Sequence, residues 1–163
     1  MCIRDRIKMN AGYRHSLLII GSKTYNNPEP RLNMNVRLAE RTSVKLGLSR
    51  TAQYLHLLSN IGIGLPADLW VPATENVAPI LANQASAGFY QELTKDIVFS
   101  VEGYYKTMEN LIQYKEGADF SINGTDWEET ITTGRGTAYG AEFLLEKKKG
   151  NLSGWVGYSL SWS

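Results

Sequence analysis

The chain has 163 residues, of which 43% are hydrophobic, 20% charged and 10% aromatic, and its formal net charge is +1. That length suits roughly one domain, with the apolar and charged fractions of a folded chain rather than a disordered or collagen-like one. The near-neutral balance argues against nucleic-acid binding, the single cysteine, Cys2, excludes a disulfide framework, and the longest apolar run, Leu17 to Ile20, falls far short of the about 20 residues of a membrane helix.

The N-terminal run Met1-Cys2-Ile3-Arg4-Asp5-Arg6 has neither the apolar stretch nor the cleavage site of a signal peptide. It resembles the translated junctions found at the ends of assembled metagenomic reads, so residues 1–8 are expected to be a non-native end. The other terminus alternates through Tyr158-Ser159-Leu160-Ser161-Trp162-Ser163 and stops mid-pattern. The chain is therefore expected to be a piece of a longer one.

Strands show a period of two, because successive side chains point to opposite faces. A weak first strand is expected near Ala11 to Ile19. Leu32, Met34, Val36 and Leu38 then alternate with Asn33, Asn35 and Arg37. After Glu40-Arg41-Thr42 the pattern resumes with Val44, Leu46 and Leu48 against Lys45, Gly47 and Ser49. Ala85, Ala87 and Phe89 alternate with Ser86, Gly88 and Tyr90, up to the break at Thr94-Lys95-Asp96. Ile97, Phe99, Val101 and Tyr105 take one face of the next run, and Ser100, Glu102, Tyr104 and Lys106 the other. Tyr139, Ala141, Phe143 and Leu145 alternate with Gly140, Glu142 and Glu146. A turn at Lys148 to Asn151 leads into Leu152, Val156, Tyr158, Leu160 and Trp162. No helical spacing is sustained, and Ser, Thr, Asn, Tyr and Gly are poor helix formers. The expectation is all-β: an antiparallel up-and-down meander of about seven strands.

The connections separate into two kinds. Those near 39–42, 94–96 and 148–151 are short and charged, whereas 20–30, 59–82 and 115–134 are expected to be long. Strict alternation of short and long is the signature of an outer-membrane barrel, whose external side carries the long loops. Several runs reach the about 9–11 residues of a tilted spanning strand. A soluble β-sandwich competes with this reading. Arg37, Lys45, Glu102, Lys106 and Glu142 favour the barrel over it, because a core between sheets excludes unpaired charge while an aqueous lumen accepts it. These five are the expected lumen-facing residues of a partial segment of a large transmembrane β-barrel. Tyr105, Tyr158 and Trp162 are expected near strand ends, as interfacial aromatics. Arg50 interrupts the apolar face, so it must lie above the hydrocarbon band or beside a bulge.

No catalytic set, metal site or cofactor site is expected. His15 and His56 lack ligand-spaced partners. The glycines of Gly134-Arg135-Gly136-Thr137-Ala138-Tyr139-Gly140 are spaced too widely for a dinucleotide fingerprint and precede a strand, so close backbone approach explains them better. Asn123-Gly124-Thr125 and Asn151-Leu152-Ser153 match a glycosylation pattern but read as loop and turn chemistry. Glu128 and Glu129 are adjacent, and on an extended chain adjacent carboxylates point apart. The specificity signal lies in the long loops, at Asp68, Trp70, Trp127 and Glu128. Trp70 and Trp127 either stack on a planar or sugar-like ligand or pin their loops to the rim, and pinning carries more weight.

The runs LPADLWVPATENVAPILANQASAGFY (65–90), VEGYYKTMENLIQYKEGADF (101–120) and WEETITTGRGTAYGAEFLLEKKKGNLSGWVGYSLSWS (127–163) resemble the β-barrel of TonB-dependent outer-membrane receptors of the Bacteroidetes type. PRLNMNVRLAERTSVKLGLSRTAQYLHLLSN (30–60) is similar to the preceding hairpin of such receptors. The resemblance implies that residues 9–163 are part of a 22-stranded barrel closed elsewhere by a plug domain. It implies uptake of a scarce nutrient, such as an iron chelate or cobalamin, driven by the TonB complex. The implied partners are outer-membrane lipid and, through other segments of the intact receptor, the plug and TonB. No plug domain lies in this chain, and the resemblance fixes no ligand. A passive porin-like channel, a barrel enzyme and a soluble carbohydrate-binding β-domain are the alternatives. The barrel enzyme would need a rim nucleophile that is not evident here.

Overall fold

A computed structural model describes residues 6–59, 68–115 and 127–163. The strands are β1 (Ile7–Ile20), β2 (Lys23–Ala39), β3 (Thr42–Gln53), β4 (Leu55–Ser59), β5 (Asp68–Pro72), β6 (Ile80–Glu92), β7 (Ile97–Tyr114), β8 (Ile131–Lys147) and β9 (Gly154–Trp162). A 3-10 turn, Trp127–Thr130, precedes β8. Seven strands form one sheet in the order β1-β2-β3-β6-β7-β8-β9, and each neighbouring pair is antiparallel. The fold is therefore an all-β up-and-down sheet, as expected of a barrel segment. β4 and β5 make a separate hairpin between β3 and β6.

Register converts the alternation of each strand into two continuous faces. Directly paired residues share a face. One row runs Ala11, Leu32, Leu48, Ala85, Tyr105, Tyr139 and Trp162. Two residues further along lie Met9, Met34, Leu46, Ala87, Gly103, Ala141 and Leu160. The next row is Ile7, Val36, Val44, Phe89, Val101, Phe143 and Tyr158. A one-residue slip anywhere would move every oily side chain across the sheet, so this pattern fixes the pairing strongly.

Among the described residues, none lies over the apolar face. Leu48, Phe143, Leu145 and Tyr158 on it are all exposed. The buried apolar residues (Leu58, Val71, Ala73, Val77 and Ile131) lie instead around the β4–β5 hairpin and the adjoining strand ends. The sheet thus carries no core of its own on its oily side.

Several boundaries differ from expectation. The first strand begins at Ile7, so Ile7 and Lys8 belong to the sheet; residues 1–5 lie outside the described residues. Residues 20–30 are not a long loop. Gly21 and Ser22 make a tight turn, Gly21 at φ 51°, and β2 starts at Lys23. Strict alternation of short and long connections therefore fails at this first position. Pro28 and Pro30 signal a loop in the sequence, but each pairs with β1, opposite His15 and Tyr13. The ladder of β2 with β3 starts only at Arg31, so residues 23–30 form an edge where a missing N–H is tolerated. The extra length is a hairpin protruding past β3 rather than a loop. The 59–82 connection contains β5, and the 115–134 connection closes early because Ile131 already pairs with Tyr114.

Arg50 requires no bulge. The β3–β6 ladder runs without a break through Arg50↔Asn83, and the same row continues to Thr107 and Thr137. It is the first polar row beyond the one ending in Trp162. Tyr105, Tyr139 and Trp162 stack along the last apolar row, with centroids 6.4 and 5.3 Å apart. Tyr105 and Trp162 thus mark the edge of the apolar band, whereas Tyr158 sits inside it. A bulge does occur in β7, where Asn110 has φ 60° and donates through Nδ2 to the Pro79 carbonyl at 2.9 Å.

Candidate functional site

The candidate site is the rim, at the end of the sheet that carries the β1–β2 turn, the β4–β5 hairpin and the Trp127–Thr130 turn. Three otherwise separate connections are tied together there. Residues 73–79 cross between them as a strap. On one side the Lys23 Nζ donates to the Glu75 carbonyl at 2.7 Å, and the Tyr25 hydroxyl donates to the Thr74 carbonyl at 2.8 Å. The Ser22 amide donates to the Glu75 carboxylate. On the other side Asn76 Nδ2 donates to Glu128 Oε2 at 2.7 Å. Within the strap, the Thr74 hydroxyl accepts from the amide of Val77 at 3.1 Å.

Beneath the strap an apolar cluster holds the hairpin down. Leu58, Val71, Val77 and Ile131 are its buried members, with Ile112, Tyr114 and Trp127 packed against them. β4 alternates in burial because the hairpin covers one face: His56 and Leu58 are buried while Leu55 and Leu57 are exposed. His56 is completely buried, and neither ring nitrogen has a hydrogen-bond partner of normal geometry. Burial pushes its pKa below the ordinary histidine value, opposed in part by the Ala78 backbone. Glu128 is also shifted down, because Thr74 and Asn76 hydrogen-bond its ionised form.

These shifts set a direction for pH. A group with a depressed folded pKa supports the fold above its unfolded pKa, and that support is lost as pH falls through the folded value. For His56 the loss begins below about pH 6.5, and for Glu128 below about pH 4.5. Acidification from pH 7.5 to 5.5 is therefore expected to lower hydrogen-exchange protection in β4 and β5, after correction for intrinsic exchange. His56→Leu should flatten that response, and an unchanged pH response in this variant would remove His56 as its source.

A polar chain lies beside the cluster. Asn27 Nδ2 donates to the Tyr54 hydroxyl (3.0 Å), Tyr54 donates to Ser16 Oγ (2.7 Å), and Ser16 donates to Glu29 Oε1 (2.6 Å). Glu29 is 1% exposed and pairs with Arg14 Nε at 3.5 Å. A buried carboxylate needs such partners, since an unpaired one costs several kcal/mol.

The four expected loop residues part company. Trp127 is half-buried against the apolar cluster, so it anchors its loop. Trp70 is 58% exposed on β5, opposite Leu57. Asp68 opens β5 opposite Ser59, and its side chain lies outside the described residues. Glu128 is held by the strap. Asn123-Gly124-Thr125 lies outside the described residues.

Arg37, Lys45, Glu102, Lys106 and Glu142 occupy the face opposite the oily rows. Glu102 is paired directly with Glu142, and Lys45 reaches the same row through Gly88. Like charges directly opposite repel. The Tyr90 hydroxyl offsets this by donating to Glu102 Oε1 at 2.5 Å, and the Lys45 Nζ sits 3.8 Å from the Tyr90 ring centre. Gly88 makes room for that ring, because a Cβ there would lie 3.0 Å from Tyr90 Cε2 and 3.3 Å from Glu102 Cγ. Among the described residues the five charges form no ion pairs with one another, and the Tyr90 ring lies between Lys45 and Glu102.

Sequence reasoning missed Tyr25, Glu29, Tyr54 and Glu75, and weighed His56 only as a metal ligand. Tyr25, Asn27, Glu29 and Arg31 continue the odd-numbered polar positions of β2 backwards from Arg37, a signal that the two prolines concealed. Nothing in the sequence joins Glu75 to Ser22, since that contact depends on how the strap folds. Among the described residues no cluster of His, Cys, Asp and Glu is arranged to hold a metal. Comparison with family models, curated proteins and solved structures finds no match to this chain.

Proposed function

We propose that this chain supplies part of the wall and rim of a TonB-dependent outer-membrane transporter for a scarce nutrient, of the iron-chelate or cobalamin kind. The observation that carries the reading is the seven-strand apolar face, which none of the described residues covers, backed by a charged face on the other side. Such a sheet is stable only where something other than water covers its oily side. Lipid fits in dimension. On β7 the apolar positions from Ile97 to Tyr105 span about 26 Å along the strand, or about 20 Å after a tilt of about 40°, close to the about 25 Å band of a barrel wall. The aromatic row at one edge of the band, followed by the Arg50 row, matches an interfacial girdle. Lengths of 12 to 18 residues from β2 through β8 in the main sheet suit spanning strands with rim extensions, whereas soluble strands average about 5–6.

In this role the rim faces the exterior and offers Trp70 to a ligand. The charged face lines the interior, against which a plug domain would sit. TonB would act through that plug and not through these strands. The test is uptake by cells that make the intact receptor, with radiolabelled ferric chelates and cobalamin as probes. Uptake that disappears when the TonB complex is inactivated supports the proposal. Uptake indifferent to TonB assigns the wall to a passive channel. Recovery of the chain as a stable soluble monomer would overturn both.

A further inference from the structure

At the end of the sheet remote from the rim, on the charged face, lies a cavity of about 270 Å³. Arg6, Lys8, Arg37, Arg41, Lys45 and Lys148 line it, drawn from β1 and the residue before it, β2, β3 and two turns. The acids in the same lining are Glu40 and Glu92, leaving a surplus of four positive charges. Among the described residues, no ion pair ties these six cations to a carboxylate. The Arg37 amide donates to the Arg6 carbonyl at 2.7 Å, which joins the two backbones, and the Lys45 ammonium rests over the Tyr90 ring. Asn35 also lines the cavity, and its Oδ1 is buried without a hydrogen-bond partner.

We propose that this basin binds a small multivalent oxyanion, one bearing phosphate or several carboxylates. Concentrated positive charge repels itself and is stabilised by an anion bound among the cations. Arginine forks suit planar or tetrahedral oxyanions, which they contact through two parallel N–H donors. The orphaned Asn35 oxygen takes a water or hydroxyl carried in with the anion. The volume sits at the lower edge of ordinary ligand pockets, which selects a compact anion over a large one. The site needs only the folded sheet and does not rest on the transporter reading, so each can fail alone.

The test is calorimetric titration of the whole chain, folded in zwitterionic detergent, with pyrophosphate, and with acetate as the monovalent control. Pyrophosphate should bind and acetate should not, with affinity falling as salt rises. The double variant Arg37→Gln/Arg41→Gln should bind at least about tenfold more weakly. Lys45→Gln is the second variant and should weaken binding in the same direction. Lys115→Gln, at the rim end of β7 and outside the cavity lining, should match the parent, and circular dichroism should show the same β content in all. Equal affinity in the parent and the double variant overturns the proposal, as does a parent that does not distinguish pyrophosphate from acetate. Binding of a poly-glutamate peptide without binding of pyrophosphate also overturns it, in favour of an acidic protein segment.

Discussion

Leu46→Arg is expected to remove about 2–4 kcal/mol of folding stability in a phospholipid bilayer, the cost of a lipid-facing cation at mid-depth of a barrel wall. Leu46 lies between Met34 and Ala87 in the second apolar row, one row in from the stacked aromatics. A guanidinium there has no carboxylate to meet, and the residues beside it offer no polar atoms except backbone already used in the ladder. Asn33→Arg is the matched control. It stands on the neighbouring strand β2, on the charged face opposite Asn10 and Gly47, where a new cation stays solvated. Its effect should stay within about 0.5 kcal/mol. Urea titration of both variants in lipid vesicles measures the difference. Equal costs would mean that the two faces do not meet different solvents.

The rim gives the second large effect. Leu58→Ala is expected to cost about 2–5 kcal/mol, the range for deleting a buried leucine side chain. Leu58 is 1% exposed and belongs to the cluster with Val71, Val77 and Ile131. Its neighbour Leu57 faces the other way and is 40% exposed, so Leu57→Ala should cost well under about 1 kcal/mol. The loss at Leu58 should be local. β4 and β5 pair only with each other, so their amides should lose exchange protection while β7 and β8 keep theirs. A uniform loss over the whole sheet would show that the rim and wall unfold as one unit.

The seven-stranded sheet is legible in the sequence because every strand repeats one rule. Leu46 and Lys45 differ in face by a single step, and the same step recurs in each paired strand. Antiparallel pairing then aligns the rows without further information. The β1–β2 hairpin was harder, because Pro28 and Pro30 give a loop signal that is overridden where a strand has one free edge. The rim was largely hidden. His56 has no ligand-spaced partner, so it reads as inert, yet burial makes it the pH-sensitive member of the hairpin. Trp127 was weighed as ligand platform or anchor, and only the packing of Leu58 and Ile131 beneath it separates the two. The contacts of Glu75 with Ser22 and of Asn76 with Glu128 span 53 and 52 residues, distances over which alternation carries no signal.

Three kinds of environment therefore meet in one sheet: an uncovered apolar face, a charged face with a cationic basin at one end, and a small packed rim at the other. The first of these supports all that is proposed of the wall. Nitroxide labels test it most directly, placed one at a time in a Cys2→Ser background of the membrane-reconstituted protein. The positions are Met34→Cys, Val36→Cys, Ala87→Cys and Val101→Cys on one face, and Asn33→Cys, Asn35→Cys, Ser86→Cys and Glu102→Cys on the other. The expected result is alternation, with oxygen reaching the first set and a water-soluble nickel complex reaching the second. If the first set were instead shielded from both reagents, a second layer of protein would cover the oily rows, and the lipid-facing wall would be contradicted.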